Sequence, residues 1–225
     1  MNITVINDWY FKPDGNINKG ISASADLVDY FDKQEPGVQL SLWLRGLDEP
    51  LRFFHITVFD DMKVFENAVK SNAIERFVDA LYPEIDQSTH VAPQCDVVLS
   101  SGAKLKPIRD INAPDVTVIN DWYFREDGDV NKGLTAASEY VDWMKKNKPE
   151  LQLSLWLRDR ENPLRFFHII AFDTAESAQE GRQWEGTLKF VDELFPEIHE
   201  DSVKQPKGNV ILSSGGNLKP IPLQL

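Results

Sequence analysis

The chain contains the same segment twice. QLSLWLR at Gln39–Arg45 returns at Gln152–Arg158, and PLRFFHI at Pro50–Ile56 returns at Pro163–Ile169, each displaced by 113 residues. The same offset relates Asn7–Phe11 to Asn120–Phe124, Asn18–Gly20 to Asn131–Gly133, and Leu99–Gly102 to Leu212–Gly215. Aligned without a gap, Thr4–Ile108 and Thr117–Ile221 share 51 of 105 positions. This period is far longer than that of stacked solenoid repeats, so each copy is a whole domain. Two domains also suit a chain of 225 residues. The predicted boundaries are 1–108 for the first domain, 109–115 for a polar linker and 116–225 for the second.

One copy reads as β-α-β-β-α-β. Ile3–Phe11 is rich in β-branched and aromatic residues and precedes an Asp14-Gly15 turn. Ile21–Lys33 has helical spacing and stops before Pro36-Gly37. Val38–Arg45 alternates strictly, with Leu40, Leu42 and Leu44 on one face and Gln39, Ser41, Trp43 and Arg45 on the other. Leu51–Phe59 forms the next strand. Met62–Leu81 reads as a helix interrupted near Ser71-Asn72, with the matching break at Trp184–Gly186, and Asp96–Ser101 as a last short strand. This order predicts an α+β ferredoxin-like domain with helices on one sheet face. The other face would carry Trp43, Phe53 and Phe59, too much aromatic surface for water. We therefore expect the two sheets to pack together about a pseudo-twofold axis, as a pseudo-dimeric α/β barrel.

Composition excludes several classes. A net charge of −12 with no basic stripe argues against nucleic acid. No apolar run spans a membrane and no signal peptide is visible, so a cytoplasmic setting is expected. Cys95 is the only cysteine, which rules out an internal disulfide and a cysteine metal cluster. No His/Asp/Glu spacing signals a metal and no glycine loop signals a nucleotide.

The stretch from QLSLWLR through PLRFFHITVFDD to FVDALYPEI resembles the dimeric α/β-barrel superfamily, and within it the antibiotic biosynthesis monooxygenase domains, and the resemblance covers both copies. Phe59-Asp60 and Phe172-Asp173 match the aromatic-acidic pair that ends their hairpin. The resemblance implies a small apolar or aromatic ligand, oxidation without metal or flavin, and no cofactor. It also implies a chain that holds both halves of a dimer, as a monomer or with further self-association. A non-catalytic binding or interaction module on the same fold is the rival. Haem binding or degradation comes third. It would use an asparagine that Asn7 and Asn120 supply, but Ala68 and Gly181 stand where a tryptophan is needed, and Val78 and Val191 where a histidine is needed.

His55 and His168 are the candidate general bases, with Arg45, Arg158 and the indole N–H groups of Trp43 and Trp156 as stabilisers of a developing anion. The packing alternative makes both histidines hydrogen-bonded core residues, facing the partner sheet. Asn7 and Asn120, with Trp9 and Trp122, are candidates for orienting a substrate carbonyl. Alternatively each asparagine caps a strand end, and Asp8 or Asp121 starts a turn. Asn18-Lys19-Gly20 reads as a helix cap whose glycine has unusual dihedrals. His90 and His199, unmatched between copies, read as surface residues. The divergent second helices predict unequal pockets.

Overall fold

The computed structural model describes residues 2–224. Two compact units emerge. The first comprises the chain up to Gln94, Leu105–Ala113 and Gly208–Leu218; the second comprises Cys95–Lys104, Pro114–Lys207 and the chain from Lys219 onward.

In the first unit β1 (Ile3–Phe11), α1 (Ile17–Gln34), β2 (Val38–Gly46), β3 (Arg52–Phe59), α2 (Met62–Val69) and α3 (Asn72–Leu81) follow in order, then β4 (Ile85–Val91). β5 (Gln94–Ser100) and the two-residue β6 (Pro107–Ile108) precede the second repeat. That repeat holds β7 (Val116–Tyr123), α4 (Val130–Asn147), β8 (Leu153–Asp159), β9 (Arg165–Phe172), α5 (Ala175–Glu180), α6 (Glu185–Leu194) and β10 (Lys207–Ser214). Within each unit the strands pair antiparallel. The first unit runs β4-β1-β3-β2-β10 with β6 beyond, and the second runs β7-β9-β8-β5. Among the described residues no helix is long and apolar enough to cross a membrane.

Both fold-level expectations, ferredoxin-like α+β units and a broken second helix, match the structure. Ser71 caps α3 by accepting from the Ile74 amide, and Trp184 stands at the N-cap of α6. Three features differ from expectation. The last strand of each repeat is built into the other unit: β5 pairs β8 and β10 pairs β2. The polar β4 was not legible as a strand, and in the second unit its counterpart makes only the isolated bridges Phe124↔Ile198 and Asp121↔Lys204. The third difference is the facing of the hairpin.

The aromatic hairpin face packs beneath the helices. Trp43, Phe53 and Phe59 share a core with Trp9 and Phe11 of β1 and with Leu27, Val28 and Phe31 of α1. Trp156, Phe166 and Phe172 do the same with Val141 and Met144 of α4. The expectation that this face meets the other sheet is thus reversed. Strand alternation separates two faces without saying which one the helices cover. The layer between a sheet and two helices takes the bulky rings, while Leu40, Leu42, Leu44 and Ile56 on the opposite face are also fully buried.

Gly20 sits inside α1 in ordinary helical conformation, since positive φ among the described residues is confined to Gly102 and Gly215. Its role is close approach: a Cβ there would lie 2.5 Å from the Phe11 ring, and one at Gly133 would lie 2.6 Å from Phe124. The caps are side chains. Asn16 accepts from the Lys19 amide, and Glu84 occupies the helix N-terminus by accepting from the Asn16 amide and pairing with Lys19 at 2.7 Å.

Candidate functional site

Each unit has a cavity between its sheet and its helices that opens to solvent. In the first unit it measures about 270 Å³. Strand residues Val5, Asn7, Trp9, His55 and Thr57 form its floor; Leu27 and Phe31 of α1 and Ile74, Phe77 and Val78 of α3 form its roof. The second cavity measures about 130 Å³. Asn120, Trp122, His168 and Ile170 underlie it, and Tyr140, Thr187, Phe190 and Val191 cover it. β1 and β3 are paired so that Asn7 stands opposite His55, and β7 and β9 likewise place Asn120 opposite His168. Period-2 alternation then sends both side chains to the helix side.

The histidines therefore face the helices, opposite to the packing alternative. Each lies flat on an indole, His55 on Trp43 at 3.9 Å and His168 on Trp156 at 4.0 Å. His55 Nε2 is 3.0 Å from Ser41 Oγ and 2.6 Å from Thr57 Oγ1. His168 Nε2 is 3.0 Å from Ser154 Oγ, and Ile170 replaces the threonine. Burial pushes both imidazoles down to about 3, so each is neutral at ordinary pH.

Asn7 and Asn120 line the cavities with both ends of their amides engaged. Asn7 donates to the His55 carbonyl at 3.5 Å and its Oδ1 meets His90 Nε2 at 3.2 Å. Because Oδ1 only accepts, His90 carries its proton on Nε2. Asn120 donates to the His168 carbonyl at 3.2 Å, and Gln205 donates to its Oδ1 at 2.8 Å. His90 is half-buried in the first cavity wall, a correction to its surface reading, and burial lowers its pKa. Trp9 and Trp122 line the cavities with their ring surfaces, while their N–H groups are sealed and have no partner among the described residues.

The remaining candidates lie elsewhere. Arg45 and Arg158 donate to the carbonyls of Pro50 and Pro163, and each guanidinium covers a phenylalanine ring, Phe53 or Phe166, so they brace the hairpin loops. Trp43 and Trp156 back the histidines. The Trp156 N–H is taken by Ser154 Oγ at 3.1 Å, and the Trp43 N–H is sealed. Asp8 and Asp121 start no turn: they sit within strands and grip Arg52 and Arg165 bidentately at 2.8–3.0 Å. Cys95 is buried, and burial raises its thiol pKa.

Tyr140 was missed as a site residue. It stands where the first repeat has Leu27, and only the comparison of the two repeats could have marked it. Its ring stacks on Phe190 at 5.1 Å and its hydroxyl meets Thr187 Oγ1 at 2.8 Å, which narrows the second cavity. The unequal pockets follow from this and from the differing second helices. Haem does not fit these residues. Val78, Val191 and Gly181 line the cavities where the required side chains would stand.

Fold and cavities together define a tandem pair of ferredoxin-like α+β units, each with a ring-lined chamber under its helices. No protein-family model matches the chain, and no curated protein matches it. Among solved structures, a candidate monooxygenase from Lactobacillus acidophilus NCFM superposes with a TM-score of 0.84 at 11% identity, covering 99% of each chain. A candidate monooxygenase from Fusobacterium nucleatum gives 0.80 at 17%, covering 100% of this chain and 98% of that one. An anthrone oxidase-like protein gives 0.62 at 13%, covering 97% and 95%. The chain shares the fold of these proteins along its whole length, and within it the ferredoxin-like unit is duplicated in tandem.

Proposed function

We propose that the protein binds small, flat, apolar or aromatic molecules in these cavities and oxidises one of them with O₂, without metal or flavin. The supporting observation is a neutral, buried imidazole at the floor of an apolar chamber, in both units. The suited substrate is a phenol or enol with an activated CH₂. The imidazole takes a proton, the resulting anion gives electrons to O₂, and a C–O bond forms. Loss of water from the hydroperoxide leaves a carbonyl, so CH₂ and O₂ become C=O and H₂O. An imidazole at about 3 is a weak base in the empty cavity. An anion formed beside it would raise that value by pairing with the imidazolium.

A non-catalytic ligand-binding role is the second reading. The engagement of His55 and His168 Nε2 with serine and threonine hydroxyls favours it. The test is to denature purified protein, identify any released small molecule by mass spectrometry, and follow O₂ uptake with that compound in metal-free buffer. Uptake that is lost in His55→Gln or His168→Gln, with binding retained, supports the oxidase. Binding without uptake establishes the second reading, and no aromatic binding at all overturns both.

A further inference from the structure

The two cavities differ in chemistry as well as volume. We propose that the second unit's cavity takes a single-ring phenol bearing an anionic group, and the first unit's a larger uncharged aromatic. This rests on reading the cavities as ligand sites and names what each would hold. Three exchanges between equivalent positions carry it: Leu27 to Tyr140, Ile74 to Thr187 and Val69 to Arg182.

The hydroxyl order in the second cavity follows from donor counting. Thr187 has one hydroxyl proton and gives it to the Gly181 carbonyl at 2.7 Å. A carbonyl only accepts, so the 2.8 Å contact between Tyr140 and Thr187 must be donated by Tyr140. Burial raises the Tyr140 pKa, so the phenol keeps its proton. With that proton committed, the Tyr140 oxygen offers the cavity a lone pair and no donor. The matching ligand group is therefore a donor, such as a phenol O–H. In the first cavity Leu27 and Ile74 offer neither donor nor acceptor side chains.

Charge and size agree with this. Arg182 is exposed yet lines the second cavity, which places it at the solvent edge, and it has no ion-pair or hydrogen-bond partner among the described residues. A solvated guanidinium is unremarkable on its own, but here it stands in a cavity wall of a chain with net charge −12. It suits a carboxylate projecting from the ring. The volume of about 130 Å³ is close to the ~150 Å³ apolar cavity that holds one benzene, whereas about 270 Å³ leaves room for a fused pair of rings.

Four probes test it by calorimetric or NMR titration: para-hydroxyphenylacetate, its para-methoxy ether, the uncharged para-hydroxyphenylethanol, and methoxynaphthalene. The full-length chain should prefer the phenolic acid to the ether and to the alcohol by about fivefold each, with salt weakening the acid alone. Tyr140→Phe, which keeps the ring on Phe190, should erase the preference over the ether. Arg182→Gln should erase the preference over the alcohol. Neither change should alter methoxynaphthalene binding, which Leu27→Tyr should weaken. If methoxynaphthalene binds but the acid shows no preference, or keeps it in both variants, the assignment is overturned and the cavities remain ligand sites. If no probe binds, the reading of the cavities falls with it.

Discussion

The imidazole of His168 lies flat on the indole of Trp156, ring centroids 4.0 Å apart and planes within 14°. His55 and Trp43 repeat the arrangement at 3.9 Å and 13°. One face of each imidazole is therefore dry, and helix side chains close the layer above, which is why burial dominates its titration.

That burial makes stability depend on pH. The folded value of about 3 lies below the ordinary histidine value of ~6.5. Between the two the unfolded chain binds protons that the native chain does not. The histidine contribution is thus complete above pH ~6.5 and is lost progressively as pH falls toward 3. Calorimetric unfolding near pH ~5.5 in buffers of different ionisation enthalpy should show uptake of about two protons from this pair, falling by about one in His55→Gln. Unchanged uptake in that variant would contradict the assignment.

Ser154 and Ser41 are identical in sequence context but unequal in load. Ser154 Oγ serves both His168 and the Trp156 N–H, whereas Ser41 shares His55 with Thr57. Ser154→Ala leaves two buried groups unsatisfied and should cost about 2–3 kcal/mol, against about 1 kcal/mol for Ser41→Ala. Urea denaturation of the two variants decides it, and equal losses would refute the argument.

The strand arginines should also differ. Arg165 pairs with Asp121 and Asp159, both nearly buried, whereas Arg52 pairs with Asp8 and the half-exposed Glu49. Arg165→Met leaves two carboxylates together without a cation and should cost about 3 kcal/mol, with Arg52→Met costing about half of that. Thermal unfolding at neutral pH compares them.

Gly20→Ala would normally strengthen a helix interior by about 1 kcal/mol. Here the added carbon meets the Phe11 ring at 2.5 Å, and Phe11 is itself held against Phe53 at 4.7 Å. The sign should reverse, to a loss of about 1–3 kcal/mol. A stabilised Gly20→Ala protein would show that the ring yields freely.

Much of this was legible along the chain. The repeat of QLSLWLR, the alternation of Leu40, Leu42 and Leu44 and the break at Ser71 follow from covalent order and local periodicity, which position alone reveals. β4 was not, because Asp86-Gln87-Ser88-Thr89 is strand only by virtue of its pairing with β1. The hidden roles of Tyr140 and His90 likewise depend on neighbours distant in sequence, Thr187 and Asn7.

The amino-acid sequence by itself determined the duplication, the element order and which residues share a strand face. Only the tertiary structure decided which face meets the helices, and so whether His55 and His168 floor a cavity. It also decided which sheet receives Leu99 and Leu212. The physical reason is symmetry: alternation leaves the two faces of a strand equivalent, and the shared Val-x-Leu-Ser-Ser-Gly pattern leaves the last strands of the two repeats interchangeable. Such ties are broken by packing volume and long-range pairing, neither of which is written locally.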